Sequence, residues 1–150
     1  MSPAAIREAR TGEERALLGA YEWLFAAPGA RPPGWDPARA AAALAEAIAG
    51  ERATVLVAEV SGTLAGICSA YLDLNSARYG LRCWVEDLAV EPGARSRGIG
   101  GALLDAVSEW ARGRGATHLE LDTGLARTDA QRFYERRNPD TVGYSYSWAL

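Results

Sequence analysis

Val85-Glu86-Asp87-Leu88-Ala89-Val90-Glu91-Pro92-Gly93-Ala94-Arg95-Ser96-Arg97-Gly98-Ile99-Gly100-Gly101-Ala102-Leu103-Leu104 decides the reading of this chain. A largely apolar strand runs into a turn of arginine and glycine, and the turn opens a helix. Free N–H groups at a helix start, at the positive end of the helix dipole, bind an anion without any basic side chain. Gly98, Gly100 and Gly101 let the backbone approach a bulky diphosphate closely. Arg95 and Arg97 add charge-assisted hydrogen bonds. A dinucleotide-binding fingerprint needs a third glycine where Leu103 stands, and it should follow the first strand rather than sit mid-chain. A purely structural turn leaves the Arg-x-Arg-Gly-x-Gly-Gly spacing without a use.

Outward from this segment, Ile99, Ala102, Leu103, Ala106, Val107 and Trp110 mark one face of a helix that ends near Gly113 or Gly115. Thr117 to Asp122 then reads as a strand, Asp129 to Arg136 as a short helix, and Val142 to Trp148 as an alternating last strand. Toward the N-terminus, Thr54 to Val60 and Leu64 to Leu72 are strands joined by the hairpin turn Ser61-Gly62, with Asn75 to Leu81 as a connection before the strand Trp84 to Val90. Ala4 to Glu8 is a short first strand. Thr11, with Glu14 three residues on, reads as the cap of a helix carrying Leu17, Leu18, Tyr21, Leu24 and Phe25. Pro28 to Pro37 is a loop, with four prolines and two glycines, and Asp36-Pro37 opens an alanine-rich helix that stops at Gly50. The order β-α-α-β-β-β-α-β-α-β describes an α/β fold in which helices flank a mixed, mostly antiparallel central sheet, with a parallel pair in its middle. The 150 residues make one domain.

Composition narrows the function. A net charge of −3 argues against a nucleic-acid binder. Every cation is an arginine, so lysine-dependent phosphate loops and Schiff-base chemistry are excluded. Cys68 and Cys83 stand alone, with 14 residues between them, and His118 is the one histidine; no metal site or disulfide framework follows. No stretch approaches the roughly 20 apolar residues of a membrane span, and Met1 to Arg10 has no signal-peptide core. The expectation is a cytoplasmic protein.

Arg95-Ser96-Arg97-Gly98-Ile99-Gly100 resembles the Arg/Gln-x-x-Gly-x-Gly/Ala pyrophosphate loop of the GNAT acetyltransferases. The preceding Glu-Asp-Leu-Ala-Val and the following Ala-Leu-Leu are similar to the same motif. Ala130-Gln131-Arg132-Phe133-Tyr134-Glu135-Arg136 resembles the family's Ala-x-x-Phe/Leu-Tyr-Glu helix. The resemblance covers Trp84 to Arg137 and implies the GNAT-type acyl-CoA N-acyltransferase fold, with acetyl-CoA as co-substrate and an amine as acceptor.

The resemblance also implies roles. The backbone of Arg97, Gly98, Ile99, Gly100 and Gly101, with Ser96 in the loop and the Arg95 side chain, holds the CoA diphosphate. The main chain of Leu88, Ala89 and Val90 pairs with the pantetheine arm as a further strand would, and the Leu88 amide polarises the thioester carbonyl. Tyr134 protonates the leaving thiolate. A primary alkylamine has a pKa near 10 and needs a base; Glu86 is the first candidate, and Asp87, taken to point to the opposite strand face, the second. Where relatives carry asparagine this chain has Arg127, which could reach a phosphate; where they continue Gly-Phe it has Asn138-Pro139. Tyr21, Trp23, Trp35, Tyr79 and Tyr144 are candidate acceptor-site walls, the 28–37 loop a lid, and Glu22, Asp36 and Asp73 candidate attractors of a cation. Tyr144, Tyr146 and Trp148 fall on one strand face, as core or as the contact of a homodimer. The rival readings are an acyl-CoA sensing module without turnover and a transferase of longer acyl groups.

Overall fold

Alternation in 53–60 and 63–72 places Val55, Val57 and Ile67 on one side of a sheet and Leu56, Ala58, Cys68 and Ala70 on the other, and both sides are buried. A sheet apolar on both faces must be covered on both. The computed structural model, which describes residues 3–150, covers it with helices. Five strands run β1 (Ala5–Glu8), β2 (Ala53–Val60), β3 (Thr63–Ser76), β4 (Gly80–Val90) and β5 (His118–Glu120), in spatial order β1-β2-β3-β4-β5. The first three pairings are antiparallel and β4–β5 is parallel. The parallel pair therefore closes one edge of the sheet rather than its middle.

One face packs against α1 (Glu14–Leu17), α2 (Tyr21–Phe25) and α3 (Pro37–Ala49), the other against α4 (Ile99–Gly113) and α5 (Thr128–Glu135). Asp36 caps α3, accepting from the Ala38 N–H at 3.0 Å, with Pro37 in the first turn and Gly50 at the end, as the sequence indicates. The Ser61-Gly62 turn takes φ of 50° and 78°, the positive pair that suits a tight hairpin.

Three expectations change. Thr11 does not cap the first helix; Glu14 instead accepts from the Gly12 N–H at 2.9 Å, and the segment breaks into α1, a 3-10 turn and α2. Asn75 to Leu81 is not a loose connection. Asn75 pairs with Leu81 and Ser76 with Gly80, because the Ser76 hydroxyl accepts from the Arg78 and Tyr79 N–H groups and closes a hairpin. Finally, among the described residues 142–148 forms no strand with the rest of the chain. From Glu135 onward every residue is exposed, so the expected last strand has the pattern of one and no neighbour.

Candidate active site

The 92–101 segment builds an anion cradle from main chain. Pro92–Ala94 makes a 3-10 turn, Ser96 takes φ 63°, and Gly98 stands at φ 80° immediately before α4. No side chain caps α4, and the first intrahelical bond runs from the Ala102 N–H to the Gly98 carbonyl. The N–H groups of Ile99, Gly100 and Gly101 are left to a ligand. A Cβ added at Gly98 would meet nothing within 4 Å, so the positive φ, and not crowding, is what calls for glycine there. Arg95 donates from Nε to the Val90 carbonyl at 3.3 Å, which folds its exposed side chain back along the end of β4. Arg97 is exposed beside it.

β4 supplies the second half of the site. It pairs with β5 only at Arg82, Cys83 and Trp84. Past Trp84, among the described residues, Leu88, Ala89 and Val90 have β3 on one edge and no strand on the other. An extended chain can add to such an edge through main-chain hydrogen bonds. The edge leads directly into the cradle.

A bulge re-aims the carboxylates. Ser69 pairs with Asp87 but Ala70 pairs with Val85, so Glu86 is the extra residue. Asp87 therefore does not lie on the opposite face from Glu86, as simple alternation predicts. Both turn to the face under α1–α3. Glu86 is exposed and accepts from Trp84 Nε1 at 2.6 Å. Asp87 Oδ2 accepts from the Tyr21 hydroxyl at 2.7 Å and the Ser69 hydroxyl at 2.9 Å, and the Asp87 N–H donates back to Ser69 Oγ at 3.2 Å. Burial, and then the Asp87 charge, hold the Tyr21 hydroxyl far above its ordinary pKa, so it stays a donor. Sequence spacing gave no sign of this Tyr21–Asp87–Ser69 network, because its members come from three distant elements.

Tyr134 lies on the other face, half-buried in the cluster that holds Leu88 and Val90. Burial pushes its hydroxyl up to about 12, with Cys68 adding and Arg127 opposing. Cys68 is the partner of Leu88 in the β3–β4 register, so Tyr134 stands by the stretch of β4 expected to meet the thioester. Glu86 and Tyr134 thus flank the open edge from opposite faces. Burial raises the Cys68 and Cys83 thiols to about 12 and about 11, which removes them as nucleophiles.

Other expected positions fall elsewhere. Arg127 Nη2 donates to the Leu24 carbonyl at 2.8 Å. There it crosses Gly29, where a Cβ would stand 2.0 Å from the Leu24 oxygen and 2.5 Å from the guanidinium. Tyr21, Phe25 and Trp35 form an aromatic cluster, Trp35 stacked on Tyr21 at 5.6 Å, with Trp23 packed in the same core. Tyr79 sits on the β3–β4 hairpin at the far end of β4, against His118, and Tyr144 lies in the exposed tail; neither joins this cluster. Glu22 pairs with Arg31, Asp36 caps α3, and Asp73 pairs with Arg82, so each is already engaged. Among the described residues no group of three or more histidine, cysteine or acidic side chains could hold a metal ion.

Residues 17–138 match the model of the Acetyltransferase (GNAT) family. The chain belongs to the GNAT acetyltransferases. It is 39% identical over 79 residues to the Uncharacterized N-acetyltransferase YhdJ of Bacillus subtilis, a match spanning 53% of this chain and 52% of that protein. Over 134 residues it is 29% identical to the Uncharacterized N-acetyltransferase YhfO of the same organism, covering 87% and 86% of the two chains. Its fold is that of the aminoglycoside acetyltransferase AAC(6')-Iy solved with a CoA-S-monomethyl-acetylneamine bisubstrate analogue: TM-score 0.83 at 19% identity, over 99% of each chain. That alignment reaches into the exposed C-terminal segment.

Proposed function

We propose that this GNAT chain moves the acetyl group of acetyl-CoA onto a primary amine by direct attack in a ternary complex. The observation that carries the reading is the continuity of an uncapped α4 N-terminus with the open edge of β4, flanked by Glu86 and Tyr134. The free N–H groups of 99–101, with Arg95 and Arg97, hold the diphosphate, and the main chain of Leu88, Ala89 and Val90 aligns the pantetheine arm. Glu86 takes a proton from the attacking ammonium, directly or through a water. The amine nitrogen bonds the thioester carbon, the Leu88 amide stabilises the oxyanion, the nitrogen gives its second proton to solvent, and the C–S bond breaks. Tyr134 then protonates the thiolate. A thiol has an ordinary pKa of about 8.5, while the Tyr134 hydroxyl stands at about 12. The phenol is therefore still protonated at neutral pH, the state a donor requires, and the uphill transfer must be drawn by thiol release and by re-protonation from solvent.

The acceptor approaches from the face under α1–α3, where Glu86 is exposed and Tyr21, Phe25 and Trp35 form an aromatic wall. An amine with an apolar or ring-bearing body suits that wall. The reaction needs no metal. A cytoplasmic site of action and a single domain over 1–150 complete the proposal. Calorimetric titration with acetyl-CoA tests it: the unaltered protein binds, and the Arg97→Glu/Gly98→Asp variant does not. Turnover on an amine panel follows from thiol release. Binding without turnover on any amine would turn the reading to an acyl-CoA sensor, and preference for propionyl- or succinyl-CoA to a longer-chain transferase.

A further inference from the structure

α2 ends in a way that its own sequence does not complete. The Leu24 carbonyl lies in the last turn of that helix, and the residue four positions on is Pro28, which has no N–H to offer it. The donor comes instead from 103 residues away, from Arg127 Nη2 at 2.8 Å, in a partly buried bond. The arginine is as oddly placed as the carbonyl. It stands at the N-cap of α5, where a short accepting side chain is favoured and a cation meets the positive end of the helix dipole. Its side chain makes no cap bond there. At Leu24 the same cation meets the carbonyl end of a helix, so the contact that completes α2 is also the one that suits Arg127.

Both partners are held for this meeting. The Arg127 N–H donates to the Gly124 carbonyl at 3.0 Å, and Gln131 Nε2 donates to the Gly124 and Leu125 carbonyls, each at 3.0 Å, which fixes the turn before α5. On the other side the Gly29 N–H donates to the Ala26 carbonyl at 2.8 Å, and as a glycine it leaves room for the guanidinium. The bond also crosses the sheet. Leu24 packs in the core under α1–α3, whereas Phe133 and Tyr134 of α5 pack on the opposite face. β5 is parallel to β4 and ends at Glu120 beside Trp84, so the chain leading to Arg127 leaves the sheet level with the open half of β4. The guanidinium therefore passes from one face to the other around that open edge. On the α5 side its charge bears on the Tyr134 hydroxyl, where it opposes the rise caused by burial.

We propose that Arg127 is a positioning residue, a clasp that joins the acceptor-side turn 24–29 to α5 and so sets the span between the aromatic wall and Tyr134. The structural half of this stands on the bond itself, and the kinetic half rests on the catalytic reading given above. With the clasp closed, α2 and Phe25 are held in register with the acid on the far side of the edge. With the donor removed, the Leu24 carbonyl is left partly buried and unpaired, which costs more than the bond contributes when made. The 24–29 turn then loosens, and an amine meets a wall no longer fixed relative to the thioester. Misplacement of that kind acts on the encounter of the two reactants rather than on the binding of acetyl-CoA.

Hydrogen exchange on the ligand-free full chain tests the bond. Arg127→Met keeps the apolar stem and removes the donor; the Ala26 and Gly29 amides should exchange about 10-fold faster in it, with an unchanged far-ultraviolet spectrum. Arg127→Lys keeps a donor on a stem of similar length and should recover most of the protection. Steady-state kinetics then use the best acceptor of an amine panel led by 2-phenylethylamine. Arg127→Met should raise KM for the amine about 10-fold, change kcat less, and hold the Kd for acetyl-CoA within about twofold; the lysine variant should recover the KM. Unchanged exchange in Arg127→Met would overturn the clasp. A weakened acetyl-CoA affinity with amine KM unmoved would place the guanidinium on the CoA phosphates and overturn the positioning role. If no amine is acetylated, the catalytic reading falls, and the exchange result still decides the clasp.

Discussion

β4 is two strands in one. From Arg82 to Trp84 it is paired on both edges and braced by side chains: Arg82 bonds Asp73 and Glu120 and lies 5.0 Å over the Trp84 ring. From Val85 to Val90 it keeps β3, loses β5, gains the bulge at Glu86 and ends at the cradle. The apolar content of the two halves is similar, and their difference lies in what the outer edge does. The paired half has its main chain engaged on both edges. The open half is main chain left unspent, and that is what an acyl-CoA arm can use.

The comparison breaks most sharply at the cradle. Gly98→Val forces a β-branched residue to φ 80° and blocks the approach of a diphosphate; it should weaken acetyl-CoA binding at least ~100-fold, about 2.7 kcal/mol, by calorimetry on protein of unchanged secondary structure. Unaltered affinity would mean that the diphosphate lies elsewhere. Next comes Tyr134→Phe, expected to lower kcat by roughly 100-fold while the Kd for acetyl-CoA holds. Because the hydroxyl is raised to about 12, activity should not fall as pH rises from 7 to 10 through loss of this proton; a falling limb there would assign the acid to another group. Glu86→Gln should lower kcat/KM by about 10-fold to 100-fold. Arg82→Ala, on the paired half, should cost about 1 kcal/mol or less in thermal unfolding and leave acetyl-CoA binding and kcat in place. If it instead matched Glu86→Gln, the division of the strand would fail.

The smallest effect lies at the sheet's far edge. Hydrogen bonds from Arg7 hold the Glu13 carboxyl down at about 2, against an ordinary 4.5. A depressed acid contributes stability above its unfolded pKa and loses it as pH falls through its folded one. Glu13→Gln should therefore lower Tm slightly at pH 7, and the difference from the unaltered protein should vanish between pH 4.5 and pH 2.

The cradle was legible because its signal is local: glycines, arginines and a helix start within seven residues, which fold alone decides. Asp36-Pro37 and Ser61-Gly62 were legible for the same reason, each being a cap or turn fixed by neighbouring residues. Asp87 was misplaced because a bulge is a property of two strands in register, and one strand's sequence carries no mark of it. The bond from Arg127 to the Leu24 carbonyl was not legible, because the two residues stand 103 apart in the chain. The 142–148 segment was read as a strand from its alternation, and the structure gives it no ladder. Periodicity reports a pattern of side chains and is silent on whether a partner strand stands beside it. The aromatic cluster proposed as the acceptor wall is the least legible part, since Tyr21, Phe25 and Trp35 look like any helix and loop aromatics until α2 and the 28–37 loop converge.

The extra residue at Glu86 is a parity switch. Upstream of it odd-numbered side chains, Cys83 and Val85, face α4; downstream the even-numbered Leu88 and Val90 do. Removing Glu86 would restore plain alternation without moving its neighbours: Cys83, Val85, Leu88 and Val90 would still face α4, and Asp87 would still face Tyr21. What the inserted residue adds is a second carboxylate beside Asp87, placed where the outer edge of the strand opens.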